Sequence, residues 1–312
     1  MAAYRTIRRG NRSYTRKGLG VRRPRTRFSR PRRRYPVRRR STYRRRAPMT
    51  KKRVLNIASK KKQDNMVVVS NLNGGSGTGS NTYSNQPAIL SGGFTYIMPW
   101  IATARNALID GRPGYPNETP ARTANICYMR GLKERIQLQS NNGTAWQWRR
   151  ICFTFRGDYL WGNSATNFTW WRADDTYGVL RPVQNVAGVA GVGQPLIELL
   201  FKGVQSIDWS SYFTAKLDNE RVNVMYDKTS VMQSGNDSGF MRNVQLWHPM
   251  NKNLHYEGEE NGNNYLSSPY SVNTKFGLGD YYVVDIISAG TGATATDRMS
   301  FDPEATLYWH EK

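Results

Sequence analysis

Arginine triplets at Arg32, Arg33 and Arg34, at Arg38, Arg39 and Arg40, and at Arg44, Arg45 and Arg46 are the densest chemistry in this 312-residue chain. The stretch Arg30 to Arg46, "RPRRRYPVRRRSTYRRR", holds ten arginines in seventeen residues and no acid. A guanidinium is always charged, and its planar fork pairs two-to-two with phosphate oxygens. Each phosphate neutralised releases a counterion, so such a segment grips a polyanion strongly and lets go as salt rises. Of the 20 basic residues among the first 46, 19 are arginine and only Lys17 is not. Tyr4, Tyr14, Phe28, Tyr35 and Tyr43 lie between the charges, where rings can stack on unpaired bases. Lys51, Lys52, Arg53, Lys60, Lys61 and Lys62 extend the basic region to residue 62. The chemistry implied is largely sequence-independent binding of nucleic acid, since phosphate contacts carry no base information.

Little else is arranged for reactivity. Of the three histidines, His248 and His255 stand seven apart in "HPMNKNLH", the wrong spacing for two ligands one helical turn apart. Cys127 and Cys152 are the only cysteines, too few for a disulfide framework and without partners for zinc. "GVAGVG" at 188–193 lacks the lysine and serine of a phosphate loop and reads as a flexible loop. Asp174 and Asp175 are adjacent, so in a strand they point to opposite faces. No serine-hydrolase, zinc-protease or nucleotide-binding motif is present. The expectation is a protein that is not an enzyme, with no cofactor and no metal. Trp170 and Trp171 fall in a long loop, and one of two adjacent rings must leave any single face; the pair is expected to contribute a subunit contact.

Two different segments must carry these groups. The first 62 residues hold 26 Lys and Arg with no Asp or Glu, whereas the remaining 250 hold 20 basic and 22 acidic residues. Between Ala2 and Ala47 the larger aliphatics are only Ile7, Leu19, Val21 and Val37, and four prolines from Pro24 to Pro48 break any helix. Residues 1–50 are therefore expected to be a disordered basic arm, and 51–312 a folded domain. An import signal needs only five to eight basic residues, and this arm can serve as one besides binding nucleic acid. No apolar run reaches 18 residues, so no membrane span is expected.

The body alternates with period two. In "KERIQLQS" Ile136 and Leu138 face one way and Arg135, Gln137 and Gln139 the other; "RRICFTFRG" and "ERVNVMYDK" repeat the pattern around Phe153 and Val224. "MVVV", "LIELLF" (Leu196–Phe201), "YYVVDII", "FTYIMPWI" and "ATLYWHEK" read as strands with both faces covered. Between them, residues 73–87, 110–123, 163–194 and 248–275 read as long loops. The expected fold is all-β, a single jelly-roll sandwich of about eight strands with long loops.

The chain also resembles a known family. "KKRVLNIASKKKQDNM" (51–66), "VMYDKTSVMQSGN" (224–236), "WHPMNKNLHYE" (247–257), "GLGDYYVVDII" (277–287) and the terminal "EATLYWHEK" occur in that order. The series is similar to capsid proteins of genomoviruses, the gemycircularvirus-like group with small circular single-stranded DNA genomes. Any one motif is weak; the order and the ending "LYWHEK" carry the likeness. It implies a jelly-roll subunit, an icosahedral homo-oligomer of about sixty copies, a single-stranded DNA genome inside, and assembly in the host nucleus after import by the host machinery. The alternative is a non-viral nucleic-acid-binding structural protein with a basic extension.

Overall fold

The long strands of the body run 7 to 21 residues, most of them with a buried residue at every second position of the face turned to the core. The computed structural model describes residues 48–109, 112–189 and 191–312; the three arginine triplets of the arm lie outside the described residues. Eight strands carry the architecture: β1 (Lys60–Met66), β2 (Thr95–Ile101), β3 (Ile126–Ser140), β4 (Trp146–Phe155), β5 (Asn223–Met232), β6 (Met241–Asn261), β7 (Asp280–Ala289) and β8 (Arg298–Glu311). They form two antiparallel sheets. One runs β1-β8-β3-β6, extended beyond β6 by the strand Asn264–Ser271 and beside β8 by Ala88–Ser91. The other runs β5-β4-β7-β2. The protein is all-β in class; the helices among the described residues are α1 (Lys51–Ala58) and α2 (Gly193–Leu200).

The core lies between the sheets. Met98, Trp148, Trp146 and Ile287 of the second sheet meet Ile136, Leu138, Met299 and Phe301 of the first. Farther along, Trp100, Cys152, Tyr281 and Val283 meet Met129, Leu132, Leu307 and Trp309. Both cysteines are buried and unpaired. The second sheet is covered on its other face too. There Ile97, Phe153, Tyr282 and Val284 pack against Leu160, Phe168, Trp170 and the apolar side of α2, all from the segment joining β4 to β5. That second cover explains why β7 is buried at eight consecutive positions, and why β4 is buried on both faces rather than on one.

Between the two halves of the inter-sheet core sits a buried ionic cluster. Arg150 grips Asp285 with Nε at 2.7 Å and Nη2 at 2.8 Å, and Arg181 donates to the same carboxylate at 2.8 Å. Trp148 Nε1 adds a bond at 2.7 Å. Glu134 pairs with Arg150 and lies 3.4 Å from Arg181 Nε. Two positive and two negative side chains, each at most 2 % exposed, balance one another. Burial would raise the Asp285 carboxyl, but Arg150 and Arg181 hold it below its ordinary value. His248 closes the cluster; burial pushes its imidazole down to about 4, so it sits there neutral.

Three expectations are corrected. "LIELLF" is helical: α2 spans Gly193–Leu200, with Leu196, Ile197, Leu199 and Leu200 buried at helical spacing and Glu198 exposed. Pro195 in its first turn costs no bond, because the first amides of a helix have no partner anyway. Residues 248–275 are mostly a hairpin of β6 and Asn264–Ser271 rather than a loop. Residues 163–194, read as a loop, carry the paired strands Arg172–Asp174 and Gly178–Val183.

Candidate nucleic-acid interface

The basic residues at the start of the body are displayed by α1 and the edge strand β1. Thr50 caps α1, its hydroxyl accepting from the Arg53 amide at 3.3 Å. Lys51 and Arg53 are exposed on α1, and Lys60 and Lys61 at the start of β1; the side chain of Lys52 is outside the described set. Lys61 Nζ donates to the Asn56 carbonyl at 2.8 Å, tying the strand to the end of the helix. Lys62 departs from the expectation. It points into the body at 3 % exposure, and its ammonium donates to the Glu118 carbonyl at 2.6 Å, out of reach of a phosphate. Asp64, next on that inward face, pairs with buried Arg105, which stacks 5.1 Å from the Trp309 ring.

Trp170 is also corrected. It is 2 % exposed, sits edge-on to Phe168 and Tyr282, and donates from Nε1 to the Asn163 carbonyl at 2.8 Å, so it is a core ring rather than a contact surface. Trp171 is half-buried against the same cluster. The exposed tryptophan is one that spacing alone did not single out. Trp247 lies on the outer face of β6, 49 % exposed, at a position whose neighbours Leu246 and His248 turn inward. Its signal was parity: a large ring on the polar side of a strand.

The clustered acids and histidine of the interior have no access to solvent, so their arrangement is structural. Among the described residues no group of three or more His, Cys, Asp or Glu side chains is placed to hold a metal ion, and no helix is long and apolar enough to cross a membrane. No known family model matches the chain, and no curated protein matches it.

Proposed function

We propose that the protein is a viral capsid subunit, of the kind its motifs resemble in genomoviruses, which assembles into a small closed shell and packages single-stranded DNA through its basic arm. The observation that carries this reading is the separation of charge: 26 basic residues without an acid in the first 62, joined to a body whose 20 basic and 22 acidic residues nearly cancel. A ribosomal or similar basic protein would keep its charge on the folded surface as well.

The strand pairing supports a jelly roll. β1 pairs β8, β2 pairs β7, β3 pairs β6 and β4 pairs β5, so first meets last and the chain winds inward as a folded-over hairpin. In this reading the bodies associate side by side and the arms enter the interior. An arm of 50 residues has a root-mean-square reach of roughly 40 Å. With 20 basic residues in each arm, sixty arms would neutralise on the order of 1,200 nucleotides by one-to-one pairing. The same arm serves host nuclear import. The function requires no catalytic group, cofactor or membrane.

Deleting residues 1–46 tests the division of labour. Nuclease-protected DNA should vanish from the purified material while far-ultraviolet circular dichroism keeps its β signal. Protected DNA persisting without the arm sinks the packaging role. A lost β signal sinks the independence of the body.

A further inference from the structure

The sheet β1-β8-β3-β6 has one face in the core and the other open to water, and that open face is unlike an ordinary solvated surface. Trp247 of β6 and Tyr308 of β8 come together across β3, ring centroids 5.9 Å apart. They meet over Gly131, where a Cβ would lie 2.7 Å from the Trp247 ring. Beside them Tyr128 and His310 face each other at 6.1 Å. Two shallow depressions share Tyr308: one is lined by Lys61, Arg130, Trp247 and His310, the other by Asn65, Lys133, Arg135 and Thr306. Lys61, Arg130, Lys133 and Arg135 face two acids on the same surface, Asp302 and Glu304. None of the four cations forms an ion pair among the described residues. Gln63 lies opposite Tyr308 and Gln245 two residues from Trp247, each supplying a planar amide beside the rings.

We propose that this face is a second, folded binding surface for single-stranded nucleic acid, with bases stacked on Trp247 and Tyr308 and phosphates on Lys61, Arg130, Lys133 and Arg135. The inference rests on the capsid reading above and deepens it: the arm condenses the strand without regard to bases, and the sheet holds unpaired bases. Trp247 is exposed and Tyr308 half-buried beside it, and rings reachable from solvent and flanked by cations are what a single strand requires, since every base has a stacking face and every linkage a charge. Charge complementarity favours this occupant over a second copy, because a two-fold contact through this face would set its cations against themselves. The connectivity agrees. The basic segment runs through α1 directly into β1, the edge strand of this sheet.

The test uses the full chain with a fluorescent oligothymidylate. Ultraviolet crosslinking followed by peptide mass mapping should place adducts on the peptides carrying Trp247 and Tyr308 as well as in the arm. At salt high enough to remove most phosphate pairing, the double variant Trp247→Ala/Tyr308→Ala should bind roughly five- to a hundredfold more weakly per ring removed. Trp247→Phe/Tyr308→Phe keeps stacking faces and should recover most of the affinity, which separates absent stacking from a disturbed fold. Adducts confined to residues 1–62 overturn this inference and leave the capsid reading standing. Adducts nowhere overturn both. Unchanged affinity in the alanine variant with altered particle assembly also overturns it, and makes the face an interface between copies.

Discussion

Replacing Asp285 by Asn probes the ionic cluster at the centre of the sandwich. In the native chain Asp285 accepts four hydrogen bonds, two from Arg150, one from Arg181 and one from Trp148, at 2.7–2.8 Å. Asparagine keeps one oxygen and turns an amide group toward an arginine. The cluster goes from two positive and two negative charges to two positive and one negative, in a place closed to bulk solvent. Breaking a buried pair by removing one partner costs about 3–5 kcal/mol. For a domain of this size each kcal/mol lowers the melting temperature by about 2–4 °C, so the midpoint should fall by about 6–20 °C. Urea unfolding of unassembled protein measures the loss directly. Adding Arg181→Met restores one charge of each sign around Arg150 and Glu134, so the double variant should lose less than the sum of the two single variants. A loss below about 1 kcal/mol for Asp285→Asn, or strictly additive losses, would refute the claim that this cluster balances internally.

Other outcomes follow from the same structure. Trp170→Ala should cost about 3–5 kcal/mol in urea unfolding, as for a filled core; a surface ring would cost about 0.5 kcal/mol or less. Burial pushes the Asp280 carboxyl up to about 7 despite hydrogen bonds from Ser271. The folded state therefore holds a proton that the unfolded chain releases near pH 4, and stability is lost as pH rises from about 4 to about 7. Relative to Asp280→Asn, the native chain should lose on the order of 4 kcal/mol across that window; a difference constant with pH contradicts the assignment. Gly131→Ala should destabilise by about 1–3 kcal/mol, because its Cβ would stand 2.6 Å from the His248 carbonyl, and should weaken oligothymidylate binding by displacing Trp247. Changing Arg44, Arg45 and Arg46 to Gln should lower the slope of log affinity against log salt by about 2, since each phosphate left unpaired takes about 0.7 from that slope. An unchanged slope removes this triplet from the DNA-binding set.

The strands that announced themselves in the sequence are those whose inward side is apolar. Ile136 and Leu138 against Arg135, Gln137 and Gln139 read correctly because one face of β3 meets the core and the other meets water. β1 was illegible because its inward side begins with Lys62 and Asp64, which are buried only through partners distant in sequence, Glu118 and Arg105. β6 was hidden by Pro249 and by an irregularity between Pro249 and Lys252, around which Asn251, Lys252 and Asn253 are all exposed and interrupt the alternation between His248 and Met250 on one side and Leu254 and Tyr256 on the other. "LIELLF" misled because a short, wholly apolar run has no period to distinguish strand from helix. The charge of the basic region was plain from composition, whereas the ring pair over Gly131 requires three strands in register and so needed the fold.

Electron microscopy of the purified full-length chain, with and without circular single-stranded DNA, tests the central claim most directly. The account predicts closed, uniform particles of tens of copies that shield their DNA from nuclease. A chain that stays monomeric with DNA present at every ionic strength tried contradicts it.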